Sequence, residues 1–478
     1  MKKILFLVNS ALGYLEFFTK ISGYIEDKIE VVYAFESHFA EIRSGIEIEN
    51  KKKYYYSEYT GEYDYKDLND ILDKLNYTYN LRKGYFPDFD RHIWFNTKIE
   101  SEKSMDNEII KLIGFFLKVI KENDIDFVVY ENVSNIFSYC AYIATKILNK
   151  KYIGFIVSKM KGRFDVWFDL YGNLDKIEED FKLCNIDDIN KSKELNDYFS
   201  KCIDEKPEYL KSDIKEYHIS YLKYYLKKVK LLKPYIYYNV CYRKERRKSI
   251  EVNNTITMMS NFIKRNLYRK IKINYLNFFS NKYFYNPDYS ESYVLYPLHF
   301  QPESSTSVNA MYYINQYEVI KNIAFSLPLG MYLYVKDHPH AFGYFPLEFY
   351  KKIQKIPNVK LIHCDADTNK LIEGMKLLVT LTGTMGYEAL IHKKPVISLG
   401  KVFYNVHPYC FNVNNYEDIF DVVVRILKDE LENFEEYNKK LIYAYFKNTY
   451  NGRLVMNNYK MSDMDKIGEG LMNIIEKS

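Results

Sequence analysis

Residues 381–390, LTGTMGYEAL, place hydroxyl, glycine and carboxylate groups where an apolar run ends and a helical pattern begins. A helix N-terminus presents unpaired N–H groups and a partial positive charge, which suit a phosphate. Thr382 and Thr384 can add hydroxyl donors, and Gly383 has no side chain to keep a ligand from the backbone. Glu388 follows one turn later, where a carboxylate can accept from sugar hydroxyls. In isolation, a plain helix cap by Thr382 or Thr384 explains the pattern equally well.

A second candidate site is the sequence K-D-H-P at residues 336–339. Lys336 offers a point charge and His338 a hydrogen-bond donor to an anionic ligand, while Pro339 fixes the turn. A single histidine at a strand end is often only structural. Two such sites on strands of one sheet favour phosphate binding.

The elements that must position these residues are apolar strands alternating with helical patterns. The predicted strands of the C-terminal part are SYVLYPL (292–298), MYLYVKD (331–337), VKLIHC (359–364), KLLVTL (376–381) and PVISL (395–399). This alternation predicts a doubly wound parallel sheet, in which ligands bind beyond the carboxyl ends of the strands. The polar residues after each strand are therefore expected around one mouth. They add Gln301, Glu303 and Ser304 to the candidate ligand-binding residues.

The N-terminal part shows the same alternation. Strand ILFLV (4–8), helix 107–123, strand DFVVYE (126–131), helix 135–150 and strand KYIGFIV (151–157) predict a second Rossmann-like unit. Glu131 ends a strand and is a candidate general base or nucleophile, with Glu303 as a competitor. Such a carboxylate is also often a helix cap or part of a structural ion pair. Lys159, Lys161 and Arg163 follow the next strand and are candidates for binding phosphate on donor or acceptor.

A length of 478 residues predicts two domains and a cleft between them. The predicted boundaries are an N-terminal Rossmann-like domain at 1–175 with a Tyr-rich insertion at 40–105, a helical connecting region at 176–285, a C-terminal Rossmann-like domain at 286–415 and helices that pack back at 416–478. Six widely spaced cysteines argue against a disulfide framework and favour a reducing cytoplasm. No apolar run approaches the ~20 residues of a membrane span.

Charge is unevenly distributed along the chain. The basic tract, residues 222–285, contains sixteen Lys or Arg and two Glu, a net charge of +14. Because the whole chain has a net charge of +5, the rest of the chain carries about −9. A solvated helical face with lysine stems over apolar surface explains the tract most simply. Contact with an anionic membrane surface is the second interpretation. Nucleic acid is the third, but no nucleic-acid-binding module is recognisable.

Motifs for other chemistries are absent or uninformative. Three D-x-D triplets, at 88–90, 124–126 and 365–367, are expected by chance in a chain with 63 acidic residues. The sequence contains no Walker loop, H-E-x-x-H, G-x-S-x-G or complete G-x-G-x-x-G. The triplets therefore give no indication of a metal, and we predict no cofactor.

The runs YPLHFQPESST, VKDHPHAFG and LTGTMGYEALIHKKPVISLGKVFY, with YENVSNIFSYCAYIATKILNKKYIGFIVSKMKGRF in the N-terminal part, resemble the bacterial capsule and surface polysaccharide biosynthesis proteins. That group is related to the retaining β-Kdo transferases and, more distantly, to bacterial polysialyltransferases and CDP-glycerol polymerases. The resemblance covers about 290–405 well and 125–165 moderately. It does not cover the insertion or the basic tract.

The resemblance implies a metal-independent GT-B glycosyltransferase with an N-terminal acceptor domain and a C-terminal nucleotide-sugar domain. In relatives, a His-Pro dipeptide and a Ser/Thr-rich turn contact the nucleotide phosphate, and these correspond to His338-Pro339 and Thr382-Gly383-Thr384. Glu388 matches the glutamate that meets ribose or sugar. The implied partners are a nucleotide-sugar substrate and a capsular or lipopolysaccharide acceptor. The cysteine usage and the basic tract add the expectation of a cytoplasmic protein with peripheral contact at the inner face of the plasma membrane through 222–285, and no nucleic-acid partner is predicted.

Two other functions fit the same residues. A sugar-nucleotide epimerase or a polyol-phosphate transferase also uses a two-domain cleft with phosphate at a helix N-terminus. The third hypothesis is a non-catalytic, glycan-binding subunit of the assembly machinery.

Overall fold

The computed structural model describes residues 1–61, 73, 75, 77–95, 102–202, 220–250 and 259–477. Two compact units divide the chain. Unit 1 comprises Met1–Asn173, Val229–Asn261 and Asn448–Ser478, and unit 2 comprises Leu174–Lys228 and Phe262–Lys447. The division after Asn173 lies within two residues of the boundary predicted at 175, whereas neither unit begins or ends at the boundaries predicted at 285 and 415. The predicted connecting region is shared between the units, and the C-terminal segment is divided at residue 447.

The strands, in chain order, are β1 (Lys2–Val8), β2 (Ile29–Phe35), β3 (Lys52–Tyr55), β4 (Phe127–Glu131), β5 (Lys151–Val157), β6 (Arg163–Trp167), β7 (Tyr293–Pro297), β8 (Tyr332–Lys336), β9 (Val359–Ile362), β10 (Leu377–Thr380), β11 (Val396–Ser398), β12 (Cys410–Asn412) and β13 (Thr449–Asn451). The α-helices are Tyr14–Ile25, His38–Ser44, Phe86–Phe95, Glu102–Asn123, Ile136–Ile147, Leu174–Leu183, Ile186–Lys191, Lys193–Cys202, Tyr221–Cys241, Arg243–Arg247, Met259–Phe278, Ser280–Tyr283, Ser304–Ser307, Gln316–Phe325, Leu347–Ile353, Thr368–Gly374, Thr384–Ile391, Asp418–Lys428, Phe434–Lys447 and Met464–Glu476. Short 3₁₀ helices lie at Tyr56–Glu58, Leu81–Tyr85, Met311–Tyr313, Phe403–Val406 and Tyr459–Met461.

The sheet of unit 1 has the strand order β13-β6-β5-β4-β1-β2-β3. Strands β1 to β5 run parallel, whereas β6 and β13 add antiparallel pairs at one edge. The run Ile4–Val8 at its centre is fully buried, as expected for a strand covered on both faces. Strand β3 lies inside the segment predicted as an insertion, so part of that segment contributes the edge of the sheet.

The sheet of unit 2 has the order β12-β11-β10-β7-β8-β9, and all its pairs are parallel. All five strands predicted for it are confirmed to within two residues at each end. An α/β fold with two Rossmann-like sheets is therefore confirmed. In the described parts of the predicted connecting region, 176–202, 220–250 and 259–285, regular structure is helical. Within the described residues, every helix is too short or too polar to cross a membrane.

Candidate functional site

The site in unit 2 lies where the order of strands in the sheet reverses: β8 and β9 follow β7 on one side, and β10 to β12 lie on the other. Strand β7 pairs with β8 on one side and with β10 on the other. The carboxyl ends of these three parallel strands therefore meet at a switch point, where open α/β sheets bind ligands. The loops after β7, β8 and β10 carry the predicted Q-P-E-S-S, K-D-H-P and T-G-T residues.

His299 connects the end of β7 to the end of β10. Its Nε2 lies 2.9 Å from Thr380 Oγ1, and the Leu381 N–H donates to the same nitrogen over 3.3 Å. The Gly383 N–H in turn donates to Thr380 Oγ1 over 3.1 Å. This network fixes the backbone just before the helix Thr384–Ile391.

The protonation of His299 follows from its surroundings. Burial, and secondarily the charge of His338, lower the pKa of His299 to about 3, so the ring is neutral at neutral pH. Because Nε2 accepts from a backbone N–H, we assign the single ring proton to Nδ1. Among the described residues, no acceptor meets strict hydrogen-bond geometry at this buried Nδ1, but a hydrogen bond with the Gln316 side chain acts to raise the pKa of the ring.

The helix that follows β10 begins at Thr384, with Gly383 as its N-cap residue. In the described structure no side chain caps it, because Thr382 Oγ1 donates to the Ser305 carbonyl over 2.7 Å. Neither threonine is the helix cap considered above. Thr382 instead ties the loop after β10 to the short helix after β7. The Gly386 N–H donates to the Gly383 carbonyl over 3.0 Å. The Thr384 hydroxyl and the amides of Thr384 and Met385 lie at the helix start, where backbone N–H groups have no i−4 acceptor within the helix.

The reason for a glycine at position 383 differs from the predicted one. Its φ of −68° is open to any residue. A Cβ there would lie 2.9 Å from Thr380 Oγ1 and 3.1 Å from His299 Nε2. The histidine–threonine network therefore excludes a side chain at Gly383 whether or not a ligand approaches.

The loop after β8 holds a second neutral histidine. His338 Nδ1 accepts from the His340 N–H over 3.1 Å, which leaves the proton of the neutral ring on Nε2. Burial, followed by His340 and Lys336, lowers the pKa of His338 to about 4. The Phe300 ring stacks on His338 with 6.3 Å between centroids, so the loops after β7 and β8 meet here.

Two residues that precede His338, Asp337 and Lys336, fix the start of the loop by hydrogen bonds. Asp337 accepts from the His338 N–H over 2.7 Å and from Tyr350 OH over 2.9 Å, and burial raises the pKa of Asp337 to about 6. Lys336 is buried, and its Nζ donates to the Cys364 carbonyl over 2.8 Å, which links β8 to the end of β9. Lys336 therefore has a structural hydrogen bond, in addition to the charge for which it was selected from the sequence.

Gln301 and Glu303 support the loop after β7. Gln301 is buried, and its amide donates to the Ile314 carbonyl over 2.9 Å and accepts from Gln316 Nε2 over 3.0 Å. Glu303 is exposed and stands at the N-cap of the helix Ser304–Ser307. Ser304 begins that helix, whereas Glu388 lies half-buried in the helix Thr384–Ile391. The predicted residues of unit 2 are therefore brought to one end of the sheet. Gln301 is hydrogen-bonded there to Ile314 and Gln316.

The remaining candidates belong to unit 1. Glu131 ends β4 and accepts hydrogen bonds from Tyr14 OH and, over 2.5 Å, from Ser134 Oγ. Burial raises the pKa of Glu131, against the lowering effects of Ser134, Tyr14 and Arg91. This carboxyl group is fixed by two hydroxyls at the end of a central strand, where ligands approach parallel sheets.

The three cations after β5 lie in different surroundings. Lys159 is half-buried and Lys161 exposed. Arg163 begins β6, and its guanidinium donates to Thr449 Oγ1 over 2.6 Å and to Asn451 Oδ1 over 2.5 Å. Arg163 thus joins β6 to β13 and has a structural role at the sheet edge.

Acidic groups that could hold a metal have structural partners. Asp367 caps the helix Thr368–Gly374 by accepting from the Asn369 N–H over 3.0 Å. Across the described residues, the one group with metal-ligand proximity is His363, Cys364 and Asp365, whose ligand atoms lie within 4.8 Å of one another. His363 Nδ1 already accepts from the Asp365 N–H over 3.2 Å. The absence of a metal site stays a prediction.

The sequence-based selection missed His299, Thr380 and Asp337 as site residues. His299 stands at the start of the run H-F-Q-P-E-S-S, and the signal was its place directly after a predicted strand. Thr380 gave a weaker signal, a hydroxyl within the apolar strand KLLVTL. Its role depends on the pairing of β7 with β10, which the order of residues does not reveal.

Comparisons with known proteins give one match in sequence. Residues 201–410 match the family described as capsule polysaccharide biosynthesis protein. This range includes the basic tract, which the quoted motifs did not cover, and excludes 125–165, which they did. None of the curated proteins compared with the chain matches it.

Similar solved structures are distant. The β-Kdo 2,7-transferase KpsC of Thermosulfurimonas dismutans is 11% identical, with a TM-score of 0.34, over 78% of this chain and 97% of that one. The UDP-GlcNAc 2-epimerase of Methanocaldococcus jannaschii is 12% identical over 100% of both chains, with a TM-score of 0.26. Anabaena Alr3699/HepE, in complex with UDP and glucose, is 10% identical over 100% of both, with a TM-score of 0.27. Likenesses at TM-scores this low decide nothing about activity.

The sequence match and the quoted motifs agree over the strands and loops that build the site in unit 2. Residues 201–410 carry the sequence pattern of the capsule polysaccharide biosynthesis protein family.

Proposed function

We propose that the protein is a GT-B glycosyltransferase that moves a sugar from a nucleotide-sugar donor to a capsular or lipopolysaccharide glycan. The observation that carries the proposal is that the loops after β7, β8 and β10, with the neutral rings of His299 and His338, meet at the switch point of the unit 2 sheet. The start of the helix Thr384–Ile391 and the Nε2–H of His338 belong to the same end of the sheet. Helix N–H groups and an imidazole donor at one place suit the oxygens of a diphosphate or phosphodiester.

In this proposal the donor phosphate lies at the helix start, with Thr384 and His338 donating to it. Neutral histidines suit this task, because each donates one hydrogen bond at neutral pH without the cost of burying a charge. Glu388 accepts from hydroxyls of the ribose or the sugar. The positive end of the helix and these donors stabilise the negative charge that develops on the leaving nucleotide, so no metal is required.

Transfer forms a bond from the acceptor hydroxyl oxygen to the anomeric carbon and breaks the bond from that carbon to the donor phosphate. The hydroxyl proton passes to a carboxylate, and Glu131 is the candidate we favour as this base. As a nucleophile, Glu131 would instead bond to the anomeric carbon as the nucleotide leaves, and the acceptor oxygen would then displace Glu131 from that carbon, with the hydroxyl proton passing to a base. Its raised pKa brings it closer to the working pH of a general base, and two hydroxyls fix its orientation. Exposed Glu303 is the competitor.

The test is a screen of CMP-, UDP-, GDP- and CDP-linked sugars, each with and without a lipid-linked acceptor extract. We expect one donor to raise thermal stability and to release nucleotide only when acceptor is present. Glu131→Gln should abolish that release but keep the thermal shift, and Glu303→Gln serves as the matched control. Release of no nucleotide, with no thermal shift from any donor, contradicts the proposal.

Two outcomes of the screen identify the rival functions. Conversion of a UDP-sugar without acceptor identifies an epimerase, and turnover of a polyol-phosphate donor identifies a polyol-phosphate transferase. Normal glycan assembly in cells that carry Glu131→Gln and His338→Ala identifies a non-catalytic subunit.

We further propose that the basic tract contacts the anionic inner face of the plasma membrane through the helix Tyr221–Cys241. This helix exposes apolar side chains at intervals of three, four or seven residues, beside exposed lysines. The apolar stripe comprises Leu222, Leu226, Val229, Ile236 and Val240, which are 71%, 55%, 53%, 44% and 72% exposed. Apolar residues beside cations are typical of helices that lie in a lipid interface. Two copies of so basic a helix would repel each other, which favours an anionic lipid surface as the partner.

Sedimentation with vesicles tests this contact. We expect the protein to bind vesicles that contain 30% phosphatidylglycerol, to bind phosphatidylcholine vesicles poorly and to lose binding in high salt. Leu226→Glu should reduce binding at least fivefold. Leu329→Glu, at a fully exposed apolar residue of unit 2, is the control. Equal binding to both lipids, or by both variants, argues against the contact.

A further inference from the structure

One helix of the basic tract packs against the loop that carries His338. From Phe262 onward the helix Met259–Phe278 belongs to unit 2, where it packs against residues 338–345, the loop that follows β8 and carries His338. This loop has no strand or α-helix of its own. Turns within the loop occupy the carbonyls of His338 and Ala341, which accept from N–H groups of residues 341, 342 and 344. Its other carbonyl groups need partners from elsewhere in the fold.

Arg269 supplies two of these partners. Its Nη2 donates to the His340 carbonyl over 3.1 Å, and its Nε donates to the Phe342 carbonyl over 3.2 Å. The guanidinium carbon also lies 4.1 Å from the centre of the Tyr344 ring. Arg269 is only 4% exposed, so these contacts are shielded from water. The planar guanidinium donates to two carbonyls and lies against the Tyr344 ring at the same time, an arrangement that a lysine cannot reproduce.

Lys272 supplies the other partners, one turn along the helix. Its Nζ donates to the Tyr344 carbonyl over 2.9 Å and to the Phe345 carbonyl over 3.1 Å. Burial, and then the charge of Arg269, lower the pKa of Lys272 to about 8. Two side chains of one helix thus satisfy four carbonyls between residues 340 and 345.

The loop and the helix fit closely at Gly343. Its φ of +80° is a left-handed conformation that favours glycine. A Cβ at this position would lie 2.6 Å from Ile273 Cγ1 and 3.1 Å from the Arg269 carbonyl. The backbone of the loop therefore lies directly on the helix, with no space for an intervening side chain.

We propose that Arg269 and Lys272 are positioning residues that hold the loop 338–345 in the conformation in which His338 meets the donor phosphate. The proposal rests on the proposed function for the role of His338, and on the hydrogen bonds above for the clamp itself. It divides the basic tract by role: the helix Tyr221–Cys241 exposes an apolar stripe, whereas these two cations of Met259–Phe278 belong to the donor-binding unit.

The test combines hydrogen exchange with donor affinity. In Arg269→Gln we expect backbone amides of 338–345 to exchange at least tenfold faster without ligand, and the dissociation constant of the donor found in the screen to rise about tenfold. Arg269→Lys should weaken donor binding less than Arg269→Gln, because it keeps the positive charge but loses the two-nitrogen donor geometry of the guanidinium. Lys272→Met should behave like Arg269→Gln. The control Lys282→Met removes an exposed cation nearby and should change neither measurement.

The outcomes separate this proposal from the proposed function. If wild-type protein binds no nucleotide-sugar, the proposed function fails, while the exchange of the free loop still tests the clamp. Unchanged exchange of 338–345 in Arg269→Gln overturns the clamp. Faster exchange with wild-type donor affinity overturns the positioning role. A merely structural role would lower the melting temperature and leave the affinity of the folded protein unchanged.

Discussion

Replacing His299 with glutamine should make unit 2 less sensitive to acid. Burial lowers the pKa of His299 to about 3 in the folded protein, from 6.5 for the free side chain. Between these values the unfolded chain binds a proton at this ring and the folded chain does not. Stability therefore falls as the pH falls from 6.5 towards 3. At pH 7 the group costs almost nothing, because both states are then largely neutral.

The size of the effect follows from the two pKa values. Between pH 7 and pH 5, His299 alone should lower the free energy of unfolding by about 2 kcal/mol. Buried His407, whose pKa burial lowers to about 3, acts in the same direction. Asp337 acts in the opposite direction between about pH 4 and pH 6, because burial raises its pKa to about 6. Both residues remain in the variant, so the difference between the two proteins isolates His299.

The assay is hydrogen exchange at increasing urea, read on peptides from β7 and β10 at pH 7 and pH 5. His299→Gln should be less stable than wild type at pH 7, because the contacts to Thr380 and Leu381 are lost. Its loss of stability between the two pH values should be smaller than that of wild type by about 2 kcal/mol. His392→Gln, at a half-buried histidine of the same unit, is the control. An equal pH difference in wild type and His299→Gln refutes the burial of a neutral imidazole.

Three further predictions concern single contacts. Gly383→Ala should destabilise unit 2 by about 1–3 kcal/mol in urea unfolding, because its Cβ meets Thr380 and His299. Thr384→Val should weaken donor binding about tenfold in calorimetry while leaving thermal stability within about 0.5 kcal/mol, since the hydroxyl is not the helix cap. Arg163→Gln should cost about 1–3 kcal/mol of unit 1 stability by freeing β13, with donor binding unchanged. Wild-type stability of Gly383→Ala or Arg163→Gln, or wild-type affinity of Thr384→Val, would count against the respective contact.

The unit 2 sheet could be predicted because most of its strands are predominantly apolar runs separated by helical patterns. Strand β12 was missed because its three residues, Cys410–Asn412, carry no such run. In unit 1, β3 was missed because its sequence KKYY is an edge strand with little to bury. Strand β13 pairs with β6 across nearly three hundred residues, a contact that local periodicity cannot indicate.

The candidate site was predictable in its location but not in its hydrogen bonds. Placing ligands after strand ends correctly brought the loops of β7, β8 and β10 together. The sequence did not show that Thr382 would donate to Ser305, or that Gly383 is required by its own neighbours. Nor did it show that His299 would contact Thr380 and Leu381, because those contacts depend on the pairing of β7 with β10. The catalytic and donor-binding roles of these residues stay predictions.

The central claim is that the carboxyl ends of β7, β8 and β10 bind a nucleotide-sugar. Hydrogen exchange of the full-length protein, with and without the donor that shifts its thermal stability, tests this most directly. The account predicts slower exchange in peptides covering 299–307, 336–341 and 381–388, and loss of that protection in His338→Ala. Protection confined to other parts of the chain, with these three loops unchanged, would contradict it.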